Sequence, residues 1–288
     1  MSIRYFFGQD MGCRKLLKCS LSQQMHQRIS KVISIMPLEK PWMSSLQHLD
    51  NVLIYSNSEE EHVGHVKWIM QRLLEAELYM KPDNCRFHKE TVRYLRLVIS
   101  TKGISMNEDK VGTVRNRSRE KKPGNGRLNY LVKVKQFLGF CNYYRLFILK
   151  YSEEVEPLTR LTKKDEPLVW ELEQQLACET MLTTFTMAPP LRHFHHEREV
   201  IIETDASDLV YAGVLSQWDD EGVLHRVANY SKKHSPAKCN FDIYDKQLMA
   251  IIKALEEWRP ECEDAACPLH LITDHKNLEY IMTKKLLN

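Results

Sequence analysis

The sequence predicts a mixed chain, α+β in its first half and α/β in its second, and three observations carry the prediction. Between Leu46 and Ser56 a short apolar run stands on each side of a polar tip, the pattern of a tight hairpin. In the segments that follow, apolar residues recur every three or four positions, the period of amphipathic helices. From Val200 onward strands are interleaved with a helix, and two of those strands end in aspartate.

Taken in order, the hairpin "HLDNVLIYS" has Asp50 and Asn51 at its tip, a pair with good turn chemistry of its own. A helix follows, with Ser58 and Glu61 spaced as a capping box and an apolar stripe of Val63, Val66, Met70, Leu73 and Leu78. "VRYLRLVIS" reads as one strand, turned by "TKG" into the short "ISM". Asn107, Glu108 and Asp109 look like a helix start, yet the periodicity is lost in "GTVRNRSREKKPGNGR", and a basic loop or linker is expected over 111–130. Order resumes with "KVKQFLGFCNYYRLFI", whose Val134, Phe137, Leu138, Cys141, Tyr144 and Phe147 form a core-facing stripe. In the second half "VIIETDAS", "AGVLSQ", "HRVANYS" and "LHLITDH" are strands, "DDEG" is a turn, and "YDKQLMAIIKALEEW" is an amphipathic helix.

At 288 residues and 43% hydrophobic content the chain can bury real cores, which rules out collagenous and wholly disordered readings. It has no run of eighteen apolar residues, and its N-terminus lacks a secretory pattern, so an intracellular chain, cytoplasmic or nuclear, without membrane partners is expected. The eight cysteines have no regular spacing, which suits reduced thiols. Cys262, Cys267 and His270 lack a fourth ligand for zinc, and His193, His195 and His196 read as solvated loop residues.

The net charge of +3 is unevenly spread: residues from Val200 onward carry ten Lys+Arg against fifteen Asp+Glu, which leaves the excess of positive charge in the first 199 positions. Lys110 to Lys135 holds nine basic residues and one acid, Glu120; charge alone leaves both phosphate contact and a solvated linker open.

Asp205 and Asp274 each end a buried strand, where α/β folds gather their sites, and Gln247 lies on the margin of the helix stripe Leu248, Ile251, Leu255 and Trp258. Paired carboxylates repel and are tolerated around a divalent cation. The residues alone leave open whether these aspartates are ligands or ordinary strand-end caps.

"HLDNVLIYSNSEEEHVGHV" resembles the "YLDDILIYS" segment of gypsy-type LTR-retrotransposon reverse transcriptases, and "VRYLRLVISTKGISMNEDKV", "VKQFLGFCNYYRLFI" and "EPLTRLTKKDEPLVW" resemble the segments that follow it. "IIETDASDLVYAGVLSQ", "NYSKKHSPAKCNFDIYDKQLMAIIKALEEWR" and "LITDHKNLEYIMTKKLLN" are similar to the ribonuclease H domain of the same Pol polyproteins. The resemblance implies a partial reverse-transcriptase palm and thumb followed by an incomplete ribonuclease H-like mixed sheet. It divides the chain into an unassigned segment 1–45, a palm end 46–106, a thumb and connection 107–199 and a ribonuclease H-like part 200–288.

The resemblance also implies two sites, each holding two Mg²⁺ ions for phosphoryl transfer. Asp50 would join an upstream aspartate in polymerisation, and Asp205, the Gln247 position, Asp274 and one further acid would cleave RNA in an RNA–DNA hybrid. Expected partners are such a hybrid or another nucleic acid, contacted by Lys121, Lys122, Lys232 and Lys233, and the remaining parts of the parent polyprotein. Several departures fall on the chemistry. Asn51 and His48 replace an acid and a tyrosine, Gln247 replaces a glutamate, Arg96 replaces a glycine, and the final acid is not found before Asn288. No upstream strand is recognisable, so the hairpin is expected to expose an unpaired edge. The expected result is an impaired polymerase and nuclease fragment, with a non-catalytic nucleic-acid binder or a decayed, non-functional relic as the alternative.

Overall fold

The computed structural model describes residues 15–20, 45–48, 51–56, 58–119, 127–164, 166–167, 169–235, 241–263 and 266–274. It forms two compact units, residues 1–107 with 193–195, and residues 108–192 with 196–288.

In the first unit β1 (Lys15–Ser20), β2 (Ser45–His48), β3 (Asn51–Ser56) and β4 (Arg86–Lys89) make a sheet in the order β2-β3-β1-β4. The neighbour that the sequence does not announce is therefore present: β1 runs antiparallel to β3 from Lys15↔Ser56 to Ser20↔Asn51. It escapes detection because "KLLKCS" is short and carries no motif residue. Pairing of His48 with Asn51 makes Asn51 a strand residue rather than part of the tip. Asp50 lies outside the described residues.

Helix α1 (Glu59–Glu75) covers this sheet, with Ser58 Oγ accepting from the Glu61 N–H at 3.2 Å as the spacing predicts. Its buried face is His62, His65, Ile69 and Leu73, rotated from the expected stripe, and Val63 is exposed. The cause is polar: the buried Ser56 hydroxyl lies 3.1 Å from His62 Nδ1 and 2.7 Å from His65 Nδ1, which gives each buried ring a polar contact at that nitrogen. Val52, Ile54, Ile69, Leu73, Leu78 and Cys85 form the core beneath.

The stretch expected as one strand is a hairpin, β5 (Thr91–Tyr94) and β6 (Leu97–Ser100), extended by β7 (Gly103–Met106). Its two turn residues, Leu95 and Arg96, have φ of 45° and 66°, the left-handed values of a tight hairpin turn that Asn-Gly favours. Apolar Leu95 hides that turn from a pattern reader. His193, expected in solvent, is buried in this unit and donates from Nε2 to the Ser100 carbonyl at 2.7 Å.

In the second unit the expected basic linker is largely helical: α2 (Glu108–Arg119) and α3 (Arg127–Tyr143) leave only 120–126 unassigned. Glu108 and Asp109 sit in the first turn of α2, where they complement the helix dipole, and a single interior glycine, Gly112, costs only about 1 kcal/mol. Val134, Cys141, Tyr144 and Phe147 are buried as the stripe predicts. Short helices α4 (Tyr151–Glu154) and α5 (Glu156–Arg160) and the longer α6 (Leu172–Met187) follow.

The second sheet contains β8 (Val200–Ala206), β9 (Val210–Trp218), β10 (Leu224–Lys233) and β11 (Leu269–Thr273) in the order β10-β9-β8-β11. The first three are antiparallel, and β11 is parallel to β8. β9 is buried almost throughout, as befits a strand covered on both faces. Helix α7 (Ile243–Glu257) packs on β8 and β9, followed by α8 (Arg259–Glu263). Its buried line is Lys246, Gln247, Ala250 and Ala254, continued by Trp258, and the larger Leu248, Ile251 and Leu255 flank it half-buried. Alanines let the helix approach closely, which moves Gln247 from the expected margin into the interface.

Candidate active site

Parallel pairing of β11 with β8 places Thr273 opposite Thr204, so Asp205 and Asp274, the next residues, stand at the same end of adjacent strands. α7 supplies the third position. Gln247 is only 2% exposed; its Nε2 donates to the Ala206 carbonyl and its Oε1 accepts from Thr273 Oγ1, both at 3.5 Å. Its neutral amide also adds to what keeps the nearby Asp205 carboxylate ionised. Three residues far apart in sequence are thus brought to one edge.

A residue that the motifs miss completes the edge. Lys150, just before α4, puts its Nζ 2.5 Å from Asp205 Oδ2. The Lys150 ammonium, helped by the Gln247 amide, holds the Asp205 carboxyl below its usual range, and Asp205 holds the lysine above its own, with Asp274 adding to that field. The other acid of the strand-end loop, Asp208, is taken in the same way by Lys246 Nζ at 2.7 Å. A lysine at helix position 246, beside Gln247, was legible as a neighbour of the site. Lys150 carried no signal, because the acid it meets lies far along the chain, beyond α4, α5 and α6.

The chemistry of this donor set does not fit a pair of Mg²⁺ ions. Such ions want several anionic oxygens, whereas here Asp205 is already matched by an ammonium, Gln247 brings a neutral amide, and Asp274 is exposed. Among the described residues no group of three or more His, Cys, Asp or Glu is placed to hold a metal ion; Cys262, Cys267 and His270 make none. In the first unit Asp50 lies outside the described residues, and the strand beside its hairpin, "KLLKCS", has no acid.

Of the basic residues, Lys232 is exposed, Lys233 is ion-paired with Glu156 at 3.2 Å, and Lys121 and Lys122 lie outside the described residues. No described helix is long and apolar enough to cross a membrane.

Residues 170–268 match the family model of the RNase H-like domain found in reverse transcriptase, a match that includes α6 and the segment before Val200. The Tf2-7 transposon polyprotein of Schizosaccharomyces pombe is 38% identical over 231 residues, which is 80% of this chain. The chain belongs with the gypsy-type retrotransposon Pol polyproteins. It spans 17% of the length of that relative, and the same share of the Tf2-3 polyprotein, also 38% identical. Among solved structures, a foamy viral protease-reverse transcriptase in complex with an RNA/DNA hybrid aligns with 98% of this Pol-type chain and 41% of its own, at TM-score 0.74 and 15% identity. Another structure of that enzyme, with dsDNA, aligns at TM-score 0.71 and 16% identity. At such identities the likeness is one of fold: the mixed sheets and helices are those of a reverse transcriptase with its ribonuclease H-like domain.

Proposed function

We propose that this chain is a nucleic-acid-binding part of a retrotransposon Pol polyprotein whose ribonuclease H-type edge engages RNA–DNA hybrid without two-metal hydrolysis. In this reading residues 46–106 are palm end, 107–199 thumb and connection, and 200–288 the nuclease-like part, with Asp205 and Asp274 former metal ligands. The observation that carries the reading is Gln247. It is buried at the edge, where it brings a neutral amide, donating to the Ala206 carbonyl, instead of a second negative charge. Hybrid as the ligand is supported by the match to an RNase H-like domain and by the hybrid bound in the foamy viral neighbour.

The test uses the full chain with a labelled RNA–DNA hybrid, read by fluorescence anisotropy and by gel. Binding is expected to weaken steeply with salt, with a log–log slope of about −0.9 per phosphate contact on duplex, and Lys232→Ala is expected to flatten that slope by about one contact. Cleavage in Mg²⁺ is expected to stay at the level of Asp205→Asn. Cleavage clearly above that control would overturn the loss of hydrolysis, and a salt-independent signal would overturn the binding role.

A further inference from the structure

We propose that Lys150 is a tethered cation that occupies the place of a divalent ion at the acid edge and excludes metal from it. The proposal rests on the reading of Asp205 and Asp274 as former ligands.

Three features separate this contact from a casual surface ion pair. The first is how the lysine is held. Lys150 has φ of 52°, a conformation that L side chains rarely adopt. Its own carbonyl accepts from the Glu153 N–H at 2.9 Å, and the residues around it are pinned to the sheet: Asn229 Nδ2 donates to the Leu146 carbonyl at 2.7 Å, and the Ser152 N–H donates to Ser231 Oγ at 2.9 Å. β10 therefore fixes the backbone on both sides of Lys150.

The second feature is what the ammonium meets. Asp205 accepts directly from it, Asp274 lies within its field, and the buried Gln247 brings only a neutral amide to the same edge. A monovalent ammonium is enough for an edge that has lost one carboxylate, whereas the same lysine would be repelled by two Mg²⁺ ions at Asp205. The third is the repetition at Asp208, where Lys246 gives the second acid of the loop its own cation. Asp205 near the end of β8 and Asp208 in the loop after it are thus each paired with a lysine of the chain.

Metal binding itself tests this, with Mn²⁺ as the probe ion, followed by calorimetry and by paramagnetic broadening of the Thr204, Asp205 and Ala206 amide signals. The native chain and Lys150→Arg, which keeps the cation, are expected to show no saturable binding and no selective broadening. Gln247→Glu is expected to bind weakly. Lys150→Asn combined with Gln247→Glu is expected to bind at least about tenfold more tightly than Gln247→Glu alone, because a unit charge beside the ion has gone. Asparagine accepts a positive φ, so the double variant keeps the local backbone; Lys150→Gly, free at that φ, is the second choice if its thermal melt shows loss of fold. A double variant no tighter than Gln247→Glu, or native chain and Lys150→Arg binding as tightly as the double variant, would overturn the proposal. Neither readout uses nucleic acid, so failure of hybrid binding and failure of this proposal are told apart.

Discussion

The hairpin unit and the acid-edge unit depart in different places from the pattern that the resemblance implies. In the first unit the changed residues lie on or beside turns, His48 and Asn51 at one hairpin and Arg96 at another, while the core of Val52, Ile54, Ile69 and Leu73 is apolar and buried. In the second unit the change reaches the edge itself: Gln247 is buried, and an ammonium faces Asp205. Yet the packing that sets the edge is whole there too. The difference teaches that turns and polar edges can drift at a local cost, whereas the interior that positions them cannot.

The largest expected effect tests that claim in the interior. Trp258 is buried at the end of α7, with its ring 3.2 Å from where a Cβ on Gly213 would lie and in edge contact with Tyr230 at 6.2 Å between centroids. A Cβ at Gly213 would crowd that ring against β9 by a few tenths of an ångström. Trp258→Ala should lower stability by about 3–5 kcal/mol in urea denaturation. A loss below about 1 kcal/mol would mean that the helix does not depend on its core anchor, and the contrast between interior and turn would fail.

A smaller effect, of opposite sign, is expected at the Leu95–Arg96 turn. Two non-glycine residues at positive φ each carry roughly 1–2 kcal/mol of strain. Replacing them as Leu95→Asn with Arg96→Gly should recover about 1–2 kcal/mol of that, since both residues keep other interactions that the exchange removes. The gain should appear as slower amide exchange in β5 and β6. Unchanged or faster exchange would show that the turn is not strained by its residues, and that drift there has cost nothing.

How far the sequence discloses all this depends on the range of the contacts. Strands and helices set by period, such as β8 to β11 and α7, were legible, as was the meeting of Asp205 and Asp274 at one edge. Positions decided by polar partners were not. His62 and His65 break the apolar period because the buried Ser56 hydroxyl meets the Nδ1 of each, and His193 is buried because a distant carbonyl receives it. Gln247 was assigned to the margin because small alanines, rather than leucines, mark the closest approach of α7. Lys150 was invisible, since neither its backbone conformation nor its contact with Asp205 follows from neighbouring residues.

The smallest expected effect concerns a turn whose residues do suit it, the counterpart of Leu95–Arg96. Between β9 and β10, Gly222 supplies φ of 74°, and Asp219 Oδ1 accepts from the N–H groups of Val223 at 2.8 Å and Glu221 at 3.0 Å. Asp219 Oδ2 lies 2.6 Å from His225 Nε2. The Val223 N–H above all, with the His225 ring and the Glu221 N–H, holds the Asp219 carboxyl below its usual range. A folded value below the unfolded one means that the stabilisation is full above the unfolded value, about 3.9, and is lost as pH falls through the folded value. Asp219→Asn keeps one acceptor oxygen for the two N–H groups and loses the charge together with the oxygen that faces His225. Native chain and variant should therefore differ slightly in denaturation midpoint near neutral pH and converge in acid. Parallel curves down to acid would show that the turn is held by its backbone shape alone, and that charge contributes nothing even where the residues fit.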